Sequence, residues 1–90
     1  INVIVKGKTH EAAMADAQDL VKRTRHRHPN GRVIGPAPAA MAKIQDESRV
    51  QFFIKGHQRK PMRHALTAAL EERPELRRRV IVDVDPVSVI

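Results

Sequence analysis

Ninety residues amount to one domain, and a chain this short buries only around 60–65% of the surface it exposes when unfolded, so its core must be compact and simple. Hydrophobic residues make up 41% of it, the only aromatics are Phe52 and Phe53, and the absence of cysteine excludes disulfides, thiolate nucleophiles and Cys-based zinc sites. The net charge of +7 is clustered, which weighs more than its size.

In chain order, Val3 and Val5 alternate with Asn2, Ile4 and Lys6 in a short strand that Gly7 ends. Thr9 supplies a helix N-cap with Glu11 in the first turn, and Ala13, Met14, Ala17, Leu20 and Val21 recur at helical spacing. This predicts a helix over 10–27, stopped by Pro29-Asn30-Gly31. A second strand starts at Arg32. Gly35-Pro36-Ala37-Pro38 places it at a sheet edge or a kink, because proline has no N–H to give a ladder.

Alternation resumes through Ala40, Ala42 and Ile44 to a tight turn expected at Asp46-Glu47-Ser48, and Arg49 to Lys55 returns as the other half of a hairpin. After Gly56, with Pro61 near the helix start, Met62, Ala65, Leu66, Ala69 and Leu70 form the apolar stripe of a second helix that ends before Pro74. Leu76 anchors the connection, and Val80, Val82 and Val84 alternate with Ile81, Asp83 and Asp85 in a last strand closed by Pro86. The order strand, helix, strand, strand, helix, strand predicts an α+β, split βαβ (ferredoxin-like) sandwich: a four-stranded, mainly antiparallel sheet with both helices on one face.

If Val50, Phe52 and Ile54 face the helices, Arg49, Gln51, Phe53 and Lys55 must face away, joined by Ile4, Lys6, Ile81, Asp83 and Asp85. A ring flanked by cations suits single-stranded nucleic acid, since any base can stack on it while the cations follow the phosphates. The same apolar positions also suit a face covered by the rest of a larger protein. Three basic clusters stand out: Lys22, Arg23, Arg25, Arg27 and Arg32 with no acid between Val21 and Arg32; Lys55, Arg59, Lys60 and Arg63; and Arg77, Arg78 and Arg79. Together they favour a polyanion partner over the alternative of solvated helix ends.

Little here suits catalysis. Asp83 and Asp85 share a strand face without a third carboxylate or a nucleophile beside them, and a structural role is expected. His26 and His28 are two apart on a helix, which is not the i, i+4 spacing of paired ligands. No metal, no cofactor and no enzymatic activity are expected of the segment itself. No apolar run approaches the roughly 20 residues that span a bilayer, so no membrane partner is expected, and a cytoplasmic setting is. The start at Ile1, inside a strand-like run and without Met, suggests a piece of a longer protein.

From Gly35 onward the chain is more specific. Gly35-Pro36-Ala37-Pro38-Ala39, the basic Lys43, the run Arg49-Val50-Gln51-Phe52-Phe53-Ile54-Lys55-Gly56 and the ending Ile81-Val82-Asp83-Val84-Asp85-Pro86 resemble the C-terminal domain of the bacterial replication-restart helicases (PriA, primosomal protein N-prime). By motif the resemblance covers residues 32–90, and by pattern alone the first strand and helix.

It implies a bacterial parent with an N-terminal DNA-binding region and an ATP-dependent helicase core, using ATP, Mg and a Cys-bound Zn that this segment lacks. It implies a ribosomal-protein-like fold that docks on the helicase core of the same chain and helps bind single-stranded or branched DNA. It implies capture of the acidic tail of single-stranded DNA-binding protein.

Carried over, Arg49 and Lys43 fall on basic positions of the family, and Arg59 on an arginine near the acidic-tail pocket. Relatives often have an aromatic where this chain has Val50, so any stacking passes to Phe53. The expected DNA contacts are Lys43, Arg49, Gln51, Phe53, Lys55, Arg25 and Arg27, and the expected partner contacts are Arg59, Lys60 and Arg63. A purely structural domain that captures the acidic tail with little DNA binding of its own is the alternative.

Overall fold

A computed structural model describes residues 1–29, 31–44, 47–56 and 58–83, and of residues 40–44 only the backbone. The elements are β1 (Asn2–Gly7), α1 (His10–Arg27), β2 (Arg32–Ile44), β3 (Glu47–Lys55), α2 (Arg59–Glu72), a 3₁₀ helix (Pro74–Arg79) and β4 (Val80–Asp83). The strands form one sheet in the order β2-β3-β1-β4, every neighbour antiparallel, as the split βαβ arrangement requires.

Period-two burial builds the core. Val3 and Val5 of β1 and Val50, Phe52 and Ile54 of β3 alternate with less buried residues and are almost wholly buried. Against them pack Ala13, Ala17, Leu20 and Val21 of α1, Met62, Leu66 and Ala69 of α2, and Leu76 of the 3₁₀ helix, in one cluster. Both helices therefore cover the same face.

Small residues set how close α1 comes. A methyl group on Gly7 would lie 2.9 Å from the Ala13 backbone nitrogen, so the end of β1 and the first turn of α1 touch only because position 7 has no side chain. The Thr9 hydroxyl oxygen accepts from the Ala12 N–H at 3.1 Å, the cap expected of it.

Three local readings change or sharpen. Glu47 and Ser48 are not turn residues but ladder residues paired with Ile44 and Lys43, because extending β3 by two positions satisfies more backbone groups and buries Ser48 opposite Gly7. Helix α2 starts two residues before Pro61. Proline is tolerated there because the first amides of a helix have no intrahelical partner.

The third concerns β2. The Gly35–Pro38 stretch lies on an edge strand, with register shifts between Ile34 and Ala37 and between Pro38 and Lys43. Gly35 has φ +103°, a conformation that side chains rarely adopt. Asp46 of the expected turn, and the expected strand end at Val84, Asp85 and Pro86, lie outside the described residues.

Candidate nucleic-acid interface

The register of β3 with its neighbours sets the composition of the sheet's open face. Phe53 stands opposite Ile34 on one side and Asn2 on the other, with Asp83 completing the row. The next row joins Ala37, Gln51, Ile4 and Ile81. Beyond it Arg49 faces Lys6, and at the opposite end Lys55 faces Arg32.

The face is thus an apolar band, Ile34, Phe53, Ile4 and Ile81, interrupted by Asn2, Gln51 and Asp83 and bracketed by two cations at each end. Arg49 and Lys55 are six positions apart, about 20 Å along the strand. Ile34 and Ile81 are each 42% exposed, and Phe53 is half-buried by its neighbours rather than by the helices. Arg49 is the least free of these cations, with Nη2 3.5 Å from the Glu47 carboxylate and a buried Nε that has no hydrogen-bond partner.

The remaining expected contacts are divided between other surfaces. Lys43 pairs in register with Ser48, one position off the Arg49 row. Arg25 and Arg27 belong to the last turn of α1, on the helix side. There Arg25 donates to the Val33 carbonyl at 3.3 Å, and Arg27 donates to Glu72 Oε1 from Nη2 at 2.6 Å and from Nε at 2.8 Å.

Arg59, Lys60 and Arg63 are exposed at the start of α2, whose first turn contains no acid and whose N-cap Gln58 makes no side-chain cap. Lys60 and Arg63 line a shallow groove of about 280 Å³ with His64 and Thr67. Among the described residues no three His, Cys, Asp or Glu side chains gather as a metal site would need, and no helix is long and apolar enough to cross a membrane.

Sequence reasoning missed an ion-pair network that joins the two helices. Arg73, at the C-terminal end of α2, reaches Asp16 at 3.3 Å and also pairs with Asp19 and Glu75. Arg23 pairs with Asp19 at 2.9 Å and Glu72 at 2.7 Å, and Arg79 adds Asp16 at 3.7 Å. The only trace of this in the sequence is the i, i+4 spacing of Asp19 and Arg23.

Hydrogen bonds from Arg27 and Arg23 hold Glu72 below the ordinary carboxylate range, and Arg73 does the same for Glu75. Burial pushes Asp19 up, but hydrogen bonds from Arg23 and Arg73 outweigh it and the net shift is down. Carboxylates depressed in the folded state add stability above their unfolded pKa and lose it as pH falls through their folded values. Thermal unfolding followed by circular dichroism should therefore show a falling Tm below about pH 4. The drop should be smaller in Arg73→Gln; equal drops in both proteins would mean that the network contributes nothing.

No match to the chain was found among curated proteins. The family model for the primosomal protein N C-terminal domain matches residues 1–87, from the first residue of the chain through all of the described sheet. With the matched span covering nearly the whole chain, and with the fold that the resemblance implied, the chain belongs to the primosomal protein N C-terminal domain family and to the bacterial business of replication restart.

Proposed function

We propose that this domain is an accessory DNA-binding unit of an ATP-dependent replication-restart helicase, and that it holds single-stranded DNA across the open face of its sheet. The observation that carries the reading is the cross-strand register, with Phe53 in an apolar band between Arg49 with Lys6 and Lys55 with Arg32. A base stacks on the ring while phosphates on either side meet the paired cations, which read charge and not sequence. Gln51, in the adjoining row, offers an amide for polar contact. The cytoplasm is the setting this role implies.

Single-strand binding followed by fluorescence anisotropy across a salt series tests this. Replacing both Arg49 and Lys55 by Gln should weaken binding and flatten the dependence of log K on log salt by about 1.4, roughly 0.7 for each phosphate left without its cation. Phe53→Ala should weaken binding by about 1–3 kcal/mol without changing the slope. Unchanged affinity and slope in the double variant would remove the sheet face as the DNA site.

A second reading has its own support. The first turn of α2 carries Arg59 and Lys60, followed by Arg63 one turn on from Arg59, at the end of a helix where acids are normally preferred. Those cations are relieved by an anionic partner, and an acidic peptide such as the tail of single-stranded DNA-binding protein is the candidate. Calorimetry with an Asp-rich, Phe-terminated peptide separates the two readings, since tight peptide binding lost in Arg59→Ala/Arg63→Ala, with negligible DNA binding, favours this one. Docking on the helicase core of the same chain is compatible with both, through the exposed Val82 of β4, which alternation puts on the opposite side from the open face.

A further inference from the structure

On the helix side, Asp19, Lys22, Arg23, Arg25, His26 and Arg27 line a groove of about 660 Å³ that Glu72 enters from α2. The Glu72 carboxylate accepts from Arg27 Nη2 at 2.6 Å and Nε at 2.8 Å, and from Arg23 Nη1 at 2.7 Å. One carboxylate gripped by two guanidiniums reproduces the geometry by which arginines hold a phosphate. Lys22 and Arg25 are exposed and make no ion pair among the described residues.

The groove has no phenylalanine to stack a base, because Phe52 is buried in the core and Phe53 belongs to the opposite face, and its one ring is the small imidazole of His26. A site of four cations with no broad aromatic platform, its two carboxylates already held by arginines, fits a ligand whose bases are already paired and whose phosphates are all it presents. The domain is a slab of 36 × 33 × 19 Å, with both helices packed over one face of the sheet and the groove on the helix side, away from the open face.

We propose that this groove seats the phosphate backbone of duplex DNA, and that Glu72 is a built-in competitor which occupies Arg23 and Arg27 until a phosphate replaces it. The inference rests on the reading of the domain as a DNA binder and adds a second surface to it. Single-stranded and paired arms of a branched substrate would then engage opposite sides of the slab.

Anisotropy of the whole chain with a blunt hairpin duplex and with a single strand of equal length, across a salt series, tests it. Glu72→Gln frees Arg27 while Arg23 stays paired with Asp19, so duplex affinity should rise about 2–5-fold and the salt slope steepen by up to about 0.9, one phosphate newly neutralised. Lys22→Gln/Arg25→Gln should lower duplex affinity by a similar factor and flatten the slope. Neither change should move single-strand affinity more than about two-fold, since the phosphates of that strand lie on the other face.

Duplex affinity that is indifferent to Lys22→Gln/Arg25→Gln, or that falls in a Glu72→Gln protein shown by circular dichroism to be folded, overturns the proposal. So does a wild-type chain that ignores the duplex while binding the single strand. A duplex response as expected, beside single-strand binding indifferent to Arg49 and Lys55, upholds this groove and removes the sheet face instead.

Discussion

Phe52→Ala should cost about 3–5 kcal/mol of stability, the largest loss expected from any single truncation in this domain. Phe52 is fully buried and is the largest side chain in the core, so removing its ring leaves a cavity between β3 and the helices that a tightly packed interior fills poorly. At roughly 0.05–0.15 kcal/mol per residue, a domain of 90 residues has about 4.5–13.5 kcal/mol in total, so the loss takes a large share of it. The Tm should fall by at least about 12 °C, and the variant approaches the unfolded state at ordinary temperatures.

Its neighbour gives the contrast. Phe53 is half-buried on the other face, so Phe53→Ala should cost clearly less than Phe52→Ala while impairing DNA binding. Equal losses of stability in the two variants would mean that the alternation along β3 is wrong, and with it the proposed DNA face.

Leu76→Ala should cost about 2–5 kcal/mol, and locally rather than evenly. Leu76 is fully buried although it sits in a 3₁₀ segment whose other residues are mostly exposed, and that segment lies against both α2 and β1 just before the chain enters β4. It is the plug that holds the connection in place. Strand β4 has few other restraints: its four described residues pair with β1 alone, and Ile81 and Val82 remain 42% and 38% exposed.

Removing the plug should therefore release β4 first. Hydrogen exchange should show the amides of the β1–β4 ladder losing protection before those of the β1–β3 ladder. Uniform loss of protection across the sheet would mean that β4 and the core unfold together and that Leu76 has no special part in retaining the strand.

The order and type of the elements were legible because they depend on neighbours in the chain. Period-two alternation in 49–55, the apolar stripe of 62–70, the Thr9 cap and the proline-rich edge strand each reflect local geometry, so α1 runs over the residues expected and the two faces of β3 divide as expected. The expectation of a turn at Glu47 and Ser48 fails because both are polar and turn-like in isolation. What decided their conformation was the ladder to Lys43 and Ile44 and the burial of Ser48, which no local preference reports.

The candidate site divides the same way. That Arg49, Gln51, Phe53 and Lys55 share a face follows from the pleat of one strand, and the sequence alone determined it. That Lys6 stands beside Arg49, and Arg32 beside Lys55, required the register between strands. That Glu72 holds Arg23 and Arg27, and Arg73 holds Asp16 and Asp19, was decided only by the packing of α2 against α1. Charges 45 to 57 residues apart act on each other through space, so their pairing is a property of the assembled helices, whereas periodicity is a property of the chain.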